Sequence, residues 1–182
     1  MGKTRKHLGD DGSTGILGKA RLDKFHPLIE ALGALDEASA ALGLARAMTG
    51  LPETGQMLME MQRDLYTIMA ETASDPKTIS RIQVFDKTRM DWWEAQATNM
   101  ENKVSLPNEF ILPGGSPAAA ALSLARTIIR RAERRVALVL SRKAIANPLI
   151  LACLNRFSHL CYLLEVAEIR TGGNDPILAK GK

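Results

Sequence analysis

A chain of 182 residues suits one domain, large enough to bury roughly 70% of its unfolded surface without a metal or disulfide staple. Aromatics supply only 4% of it while Ala, Leu, Arg and Met are plentiful, which favours helix over strand, and no apolar run approaches the roughly 18 residues of a membrane span. A net charge of +4 and a pI near 9.2 suit an anionic ligand without demanding nucleic acid, and the basic, polar N-terminus lacks the apolar core of an export signal, so the expectation is a cytoplasmic protein with no membrane partner.

Residues 1–26 are rich in Gly, Lys and Asp, carry little periodicity and read as an extended loop segment. From Pro27, Leu28, Leu32, Leu35 and Leu42 fall at helical spacing until Gly50-Leu51-Pro52 stops them. A second helix is expected over about 53–73, with Leu58, Met61, Leu65 and Ile68 on one stripe and Asp75-Pro76 after it. The third, about 86–103, carries Trp92 and Trp93 and stops before Pro107. Pro113-Gly114-Gly115 then turns the chain into Ser116 as N-cap and Pro117 at the first helical position, opening a fourth helix that runs to about 143. Asn147-Pro148 opens a fifth by the same logic, and Gly172-Gly173 closes it. The expected architecture is all-α, a five-helix up-and-down bundle over 27–171, followed by a loose tail over 172–182.

Cys153 and Cys161 lie more than a helical turn apart inside an apolar stretch, too far to bond each other, and read as buried reduced thiols in keeping with a cytoplasmic setting. His7, His26 and His159 form no Glu-x-x-His or His-x-x-x-His pattern, so no protein-built metal site is expected.

The fourth helix carries the most information. Arg126, Arg130 and Arg134 recur every four residues and share a face, Arg131 and Arg135 point elsewhere, and Glu133 sits among them. Such a stripe is either a solvated, salt-bridged face or a clamp for a polyphosphate, whose oxygens suit the arginine fork. Beside it lies a small-residue face of Ala118 to Ala121, Ala125 and Ala132. Gly9-Asp10-Asp11-Gly12-Ser13-Thr14-Gly15 is either a flexible turn or an anion-cradling loop; it lacks the ending and the preceding strand of a Walker loop. Asn155-Arg156-Phe157-Ser158-His159 interrupts the apolar fifth helix with polar groups that need partners or a ligand, and Asp36 in the Ala-rich first helix calls for an arginine.

Taken in order, the Gly-Asp-x-Gly loop, Lys24, Gly33-x-x-Asp36-Glu37, Phe110-Ile-Leu-Pro-Gly-Gly115, the run from Ala125 to Arg134 and Leu154-Asn-Arg-x-Ser158 resemble the ATP:cob(I)alamin adenosyltransferases of the propanediol-utilisation (PduO) type. The resemblance covers about residues 4–166. It implies a homotrimer of five-helix bundles with each active site between two subunits. ATP contacts would then fall on Gly9, Thr14, Gly15, Lys24, Arg130, Arg131, Glu133, Arg134 and Asn155. Asp36 and Arg126 would pair across the interface, and Phe110 would lie beside the corrin on the side that the cobalt's lower ligand vacates. Co(I) would attack the ribose C5′, with Arg130, Lys24 and Mg²⁺ steadying the departing triphosphate. A flavoprotein reductase and an adenosylcobalamin-dependent mutase are the implied partners. The chain also departs from the pattern. Lys6-His7-Leu8 stands where Thr-Arg/Lys-Thr is usual in the ATP loop, Ser39 where Asn is usual and His159 where Asp is usual. Two rival readings stay open: a corrinoid or ATP sensor or delivery protein without turnover, and a nucleic-acid binder, which would lack the usual aromatic platforms.

Overall fold

The fold is taken from a computed structural model of the chain, which describes residues 9–18, 20–75 and 77–181. Its main elements are α1 (Pro27–Met48), α2 (Pro52–Thr72), α3 (Lys87–Lys103), α4 (Pro117–Ser141) and α5 (Leu149–Thr171). Each helix starts where an orphan amide finds an acceptor or where proline removes the need for one. His26 caps α1 by accepting the Leu28 amide at Nδ1, 3.1 Å, just ahead of Pro27. Asp86 accepts the Arg89 amide at 2.8 Å, Ser116 the Ala119 amide at 3.0 Å, and Asn147 the Leu149 amide at 3.1 Å. Past Gly172 the chain leaves α5 through Gly173 at φ +78°. Because α4 carries the arginine stripe, its cap matters for more than stability. Ser116→Ala is expected to cost about 1 kcal/mol, seen as a melting temperature lower by about 2–4 °C.

Cross-helix ion pairs show how the rods run. Glu30 meets Arg135 at 3.9 Å and Glu37 pairs with Arg131, so α1 and α4 are antiparallel. Arg156 meets Glu94 and His159 meets Glu101, both at 2.7 Å, so α5 runs parallel to α3. α1, α2, α4 and α5 surround the core, and α3 packs against α5 and adds Met90, Trp93, Ala97 and Met100 to it. Small residues line the α1–α4 seam: Ala31, Ala38 and Ala45 on one side and Ala118, Ala121, Ala125 and Ala132 on the other are all buried. Trp93 meets Phe157 edge to face at 4.8 Å between centroids and closes the α3–α5 contact. The helix count and order match the sequence expectation, with ends shifted by one or two residues.

Three expectations change. Part of the first 26 residues is ordered as an antiparallel hairpin, β1 (Ser13–Gly15) against β2 (Arg21–Asp23), with a further bridge from Leu17 to Ser74. The segment after Gly172 is not loose at 177–179: the Leu112 amide donates to the Ile177 carbonyl at 2.8 Å and the Ala179 amide to the Phe110 carbonyl at 2.7 Å. Finally, α5 is by length and composition apolar enough to cross a membrane. It is the inner rod of the bundle, with Ile150, Leu154, Phe157, Leu160 and Cys161 fully buried, which accounts for its composition. Cys153 and Cys161 are free and buried, and burial pushes the Cys161 thiol up to about 12.

Candidate active site between the fourth and fifth helices

Along α4 a step of four residues advances the side chain by only about 40°, whereas the next residue points about 100° away. The stripe therefore splits by function. Arg131 and Arg135 turn to α1 and are held by Glu37 and Glu30. Arg126 and Arg130 turn to α5 and line a cleft of about 650 Å³, where Arg130 is exposed and forms no ion pair among the described residues. Across the cleft α5 contributes Asn155, Arg156, Ser158, His159, Tyr162 and Glu165. Asn155 is oriented by donating from Nδ2 to Glu133 on α4 at 3.1 Å. His159 is tied to Glu101, and Arg156 to Glu94, so both reach the cleft from a fixed base on α3.

The segment Asn108–Ile111 forms the remaining wall. Phe110 projects there with its side chain in the open, the residue being 89% exposed. Its backbone is held from one side by Ala179, and the turn that follows is shaped by two glycines with different duties. Gly114 takes φ +114°, which L side chains rarely adopt, and a Cβ on Gly115 would stand 2.7 Å from Ile169 of α5. An exposed ring on a braced loop suits a flat apolar ligand surface.

The hairpin is a second, separate surface. Gly9 at φ +101° lets the loop close so tightly that a Cβ there would lie 3.3 Å from the Ser13 carbonyl and 3.5 Å from Lys24 Nζ. The Lys24 amide donates to the Gly12 carbonyl at 2.9 Å, and Thr14 pairs with Leu22 in the ladder. Gly9, Thr14, Gly15 and Lys24 are thus gathered on one hairpin. The Ser13 hydroxyl is already engaged by Asp11 at 2.8 Å and Arg21 at 2.6 Å, and the Ser13 amide foremost holds the Asp11 carboxyl below its usual range. None of these hairpin residues lines the cleft, nor does Asp36, which is exposed on α1 without an ion pair among the described residues. Arg126 correspondingly has a buried Nε with no hydrogen-bond partner. Lys6, His7 and Leu8 lie outside the described residues. Among those described, no group of three or more His, Cys, Asp or Glu could hold a metal ion.

Sequence reasoning missed Ser123, Tyr162 and Glu165 as cleft residues. A glutamate in the apolar run Leu163-Leu164-Glu165-Val166 was the available signal.

Comparison with known proteins narrows the chemistry. The sequence profile described as cobalamin adenosyltransferase matches residues 4–168. The corrinoid adenosyltransferase PduO of Citrobacter freundii is 35% identical over 94% of this chain, and that of Salmonella typhimurium 36% over 88%. The chain spans about half the length of these two relatives, 51% and 48% respectively. The corrinoid adenosyltransferase of Bacillus subtilis is 34% identical over 90% of this chain and 87% of its own length. Among solved structures, a phenylalanine-to-alanine variant of the PduO-type ATP:corrinoid adenosyltransferase from Lactobacillus reuteri, complexed with cobalamin and ATP, superposes with a TM-score of 0.86. It is 28% identical, and the match covers 96% of this chain and 97% of the other.

Proposed function

This chain belongs to the cobalamin adenosyltransferase family, and we propose that it transfers the 5′-deoxyadenosyl group of ATP to Co(I) of a corrinoid, releasing triphosphate. The observation that carries the reading is one cleft that sets Arg126, Arg130 and Asn155 beside the exposed ring of Phe110, a cationic wall next to an apolar one. In the reaction the electron pair of Co(I) forms the bond to C5′ while the C5′–O bond breaks and its pair leaves with triphosphate. The chain supplies alignment and fixed positive charge where the leaving group gathers negative charge. Arg130 fills that role, and Lys24 shares it. Glu133, the one carboxylate among the stripe's arginines, would help to hold Mg²⁺, which would supply further positive charge against the departing triphosphate.

Two surfaces expected to hold ATP, the hairpin and the arginine stripe, stand apart in one protomer. A homotrimer that brings the hairpin of one copy to the cleft of the next unites them, and it gives Asp36 and Arg126 each other. Asp36→Asn is expected to weaken assembly or corrinoid binding, because breaking a buried ion pair from one side strands the other charge at roughly 3–5 kcal/mol. Light scattering across a dilution series checks this, and a wild type that stays monomeric at every concentration removes the shared site.

Reduction of cobalt calls for an electron donor, for which a flavoprotein reductase is the fitting class, and an adenosylcobalamin-dependent mutase would use the product. The buried free thiols accord with a reducing, cytoplasmic setting. Purified protein with ATP, Mg²⁺ and chemically reduced corrinoid should show the visible spectrum of the alkylated product and release triphosphate. Binding of both ligands without triphosphate release would instead establish a delivery protein or sensor, the reading favoured by the His159–Glu101 pair standing where the family usually has an aspartate.

A further inference from the structure

At the C-terminal end of α5, three helices meet around a cavity of about 370 Å³ that shares no lining residue with the cleft. Its floor is apolar, made by Met57 of α2, Met100 of α3, and Leu164 and Ala167 of α5. Two polar side chains border it without a partner. Thr54 is 3% exposed, and its hydroxyl makes no hydrogen bond among the described residues. Arg170 has a buried Nε–H with no acceptor, and its guanidinium forms no ion pair among the described residues. The acids nearby are taken: Glu53 meets Lys103 at 3.3 Å across the rim, and Glu168 accepts the Thr49 hydroxyl. One positive charge is left unbalanced at the rim. No residue of α4 or of the hairpin borders this cavity, and α1 has ended before it. It therefore lies off the α1–α4 face on which Asp36 and Arg126 would meet a second copy, and assembly there leaves Thr54 and Arg170 as they are. Buried polar groups without partners carry a standing penalty that a ligand with matching groups removes.

We infer that this cavity is a binding site for a small amphiphile that carries one carboxylate on an aliphatic body. The Arg170 fork suits a carboxylate, and the Thr54 hydroxyl donates to one of its oxygens. The single unbalanced cation matches a single negative charge. Below the rim, Met57 and Met100 are unbranched and adaptable, and they pack a flexible chain without demanding one shape. A neutral alcohol leaves the arginine unmatched, and an amine sets like charges together. The place of the cavity gives its occupant a neighbourhood. Val104 and Ser105 lead into the segment that carries Phe110, while Arg170 and Thr171 lead into the tail whose Ala179 amide holds the Phe110 carbonyl. The bound acid thus sits against both stretches of chain that place the ring.

The test titrates octanoate, octan-1-ol and octylamine into the full chain, read by calorimetry and by the methyl resonances of its methionines. Octanoate should bind about tenfold more tightly than the alcohol, with the amine weakest of the three. The methyls of Met57 and Met100, assigned from Met57→Leu and Met100→Leu, should move, and that of Met59, which does not border the cavity, should stay. Arg170→Gln should bring octanoate down to the affinity of the alcohol while leaving the alcohol unchanged. Thr54→Val, isosteric and confined to one hydroxyl, should weaken octanoate about threefold or more, and it supplies the comparison should Arg170→Gln fail to fold. Unmoved Met57 and Met100 methyls, or equal affinity for acid and alcohol in the wild type, overturn the inference. So does an acid–alcohol ratio that both folded variants leave unchanged. Loss of octanoate binding in Arg130→Gln instead of Arg170→Gln also overturns it, because the acid then sits in the cleft. Each of these results leaves the transferase reading in place.

Discussion

Arg130→Ala is expected to lower transfer a hundredfold or more while leaving the fold intact. Arg130 is exposed on α4 and forms no ion pair among the described residues, so its removal leaves no buried charge behind and should change stability by less than about 0.5 kcal/mol. Its neighbours Arg131 and Arg135 are spent on Glu37 and Glu30. Arg130 is therefore the exposed cation of the stripe that is both in the cleft and without an ion pair among the described residues. A charge-assisted, two-pronged contact on a departing polyphosphate is worth roughly 2–4 kcal/mol in the transition state. Arg130→Lys keeps the charge but loses the fork, so it should recover only part of the rate. By contrast, Arg131→Ala should act mainly through the α1–α4 contact. Triphosphate release under saturating corrinoid, together with a melting curve for each variant, checks the set. A folded Arg130→Ala that turns over near the wild-type rate removes this residue from the chemistry.

The helices were legible because their signals are local. Proline at the first position, a side-chain acceptor just before it and glycine past the end act within one turn, and Ser116-Pro117 and Gly172-Gly173 do so here. Helical angle alone separates Arg126 and Arg130 from Arg131 and Arg135, but it also groups Arg134 with the first two, and Arg134 does not line the cleft. Contacts between segments distant in the chain were not legible. Nothing near Leu178 announces that it will pair with Ile111, and the bridge from Leu17 to Ser74 joins two stretches with no shared pattern. His159 shows the same limit. Its sequence setting calls for a partner or a ligand, but the partner, Glu101, lies on another helix and was invisible until α3 and α5 were placed side by side. Glu165 escaped notice for a different reason. Within an apolar run a single glutamate resembles an interruption of the core, and only the cleft shows what it borders.

Phe110→Ala separates an enzyme from a mere binder. In the proposed reaction the cobalt must lose its lower ligand before Co(II) can be reduced, and a bulky ring on that side keeps water and the displaced ligand away. Phe110 is placed for this, 89% exposed at the mouth of the cleft and borne on a loop braced by Gly115 against Ile169 and by Ala179 at its carbonyl. That exposure also argues against a packing role for the side chain in the protomer. The alanine variant should keep its melting temperature and its ATP affinity, because the proposed nucleotide contacts lie on the hairpin and the arginine stripe. Its bound Co(II) should show the spectrum of a cobalt that has regained a lower ligand, and turnover starting from Co(II) should fall sharply. Starting from Co(I) reduced beforehand, the loss should be smaller, since the protected step has already been passed. If the ring instead packs the turn before α4, melting temperature and both affinities drop together. A folded variant with an unchanged Co(II) spectrum and normal turnover places Phe110 outside the mechanism.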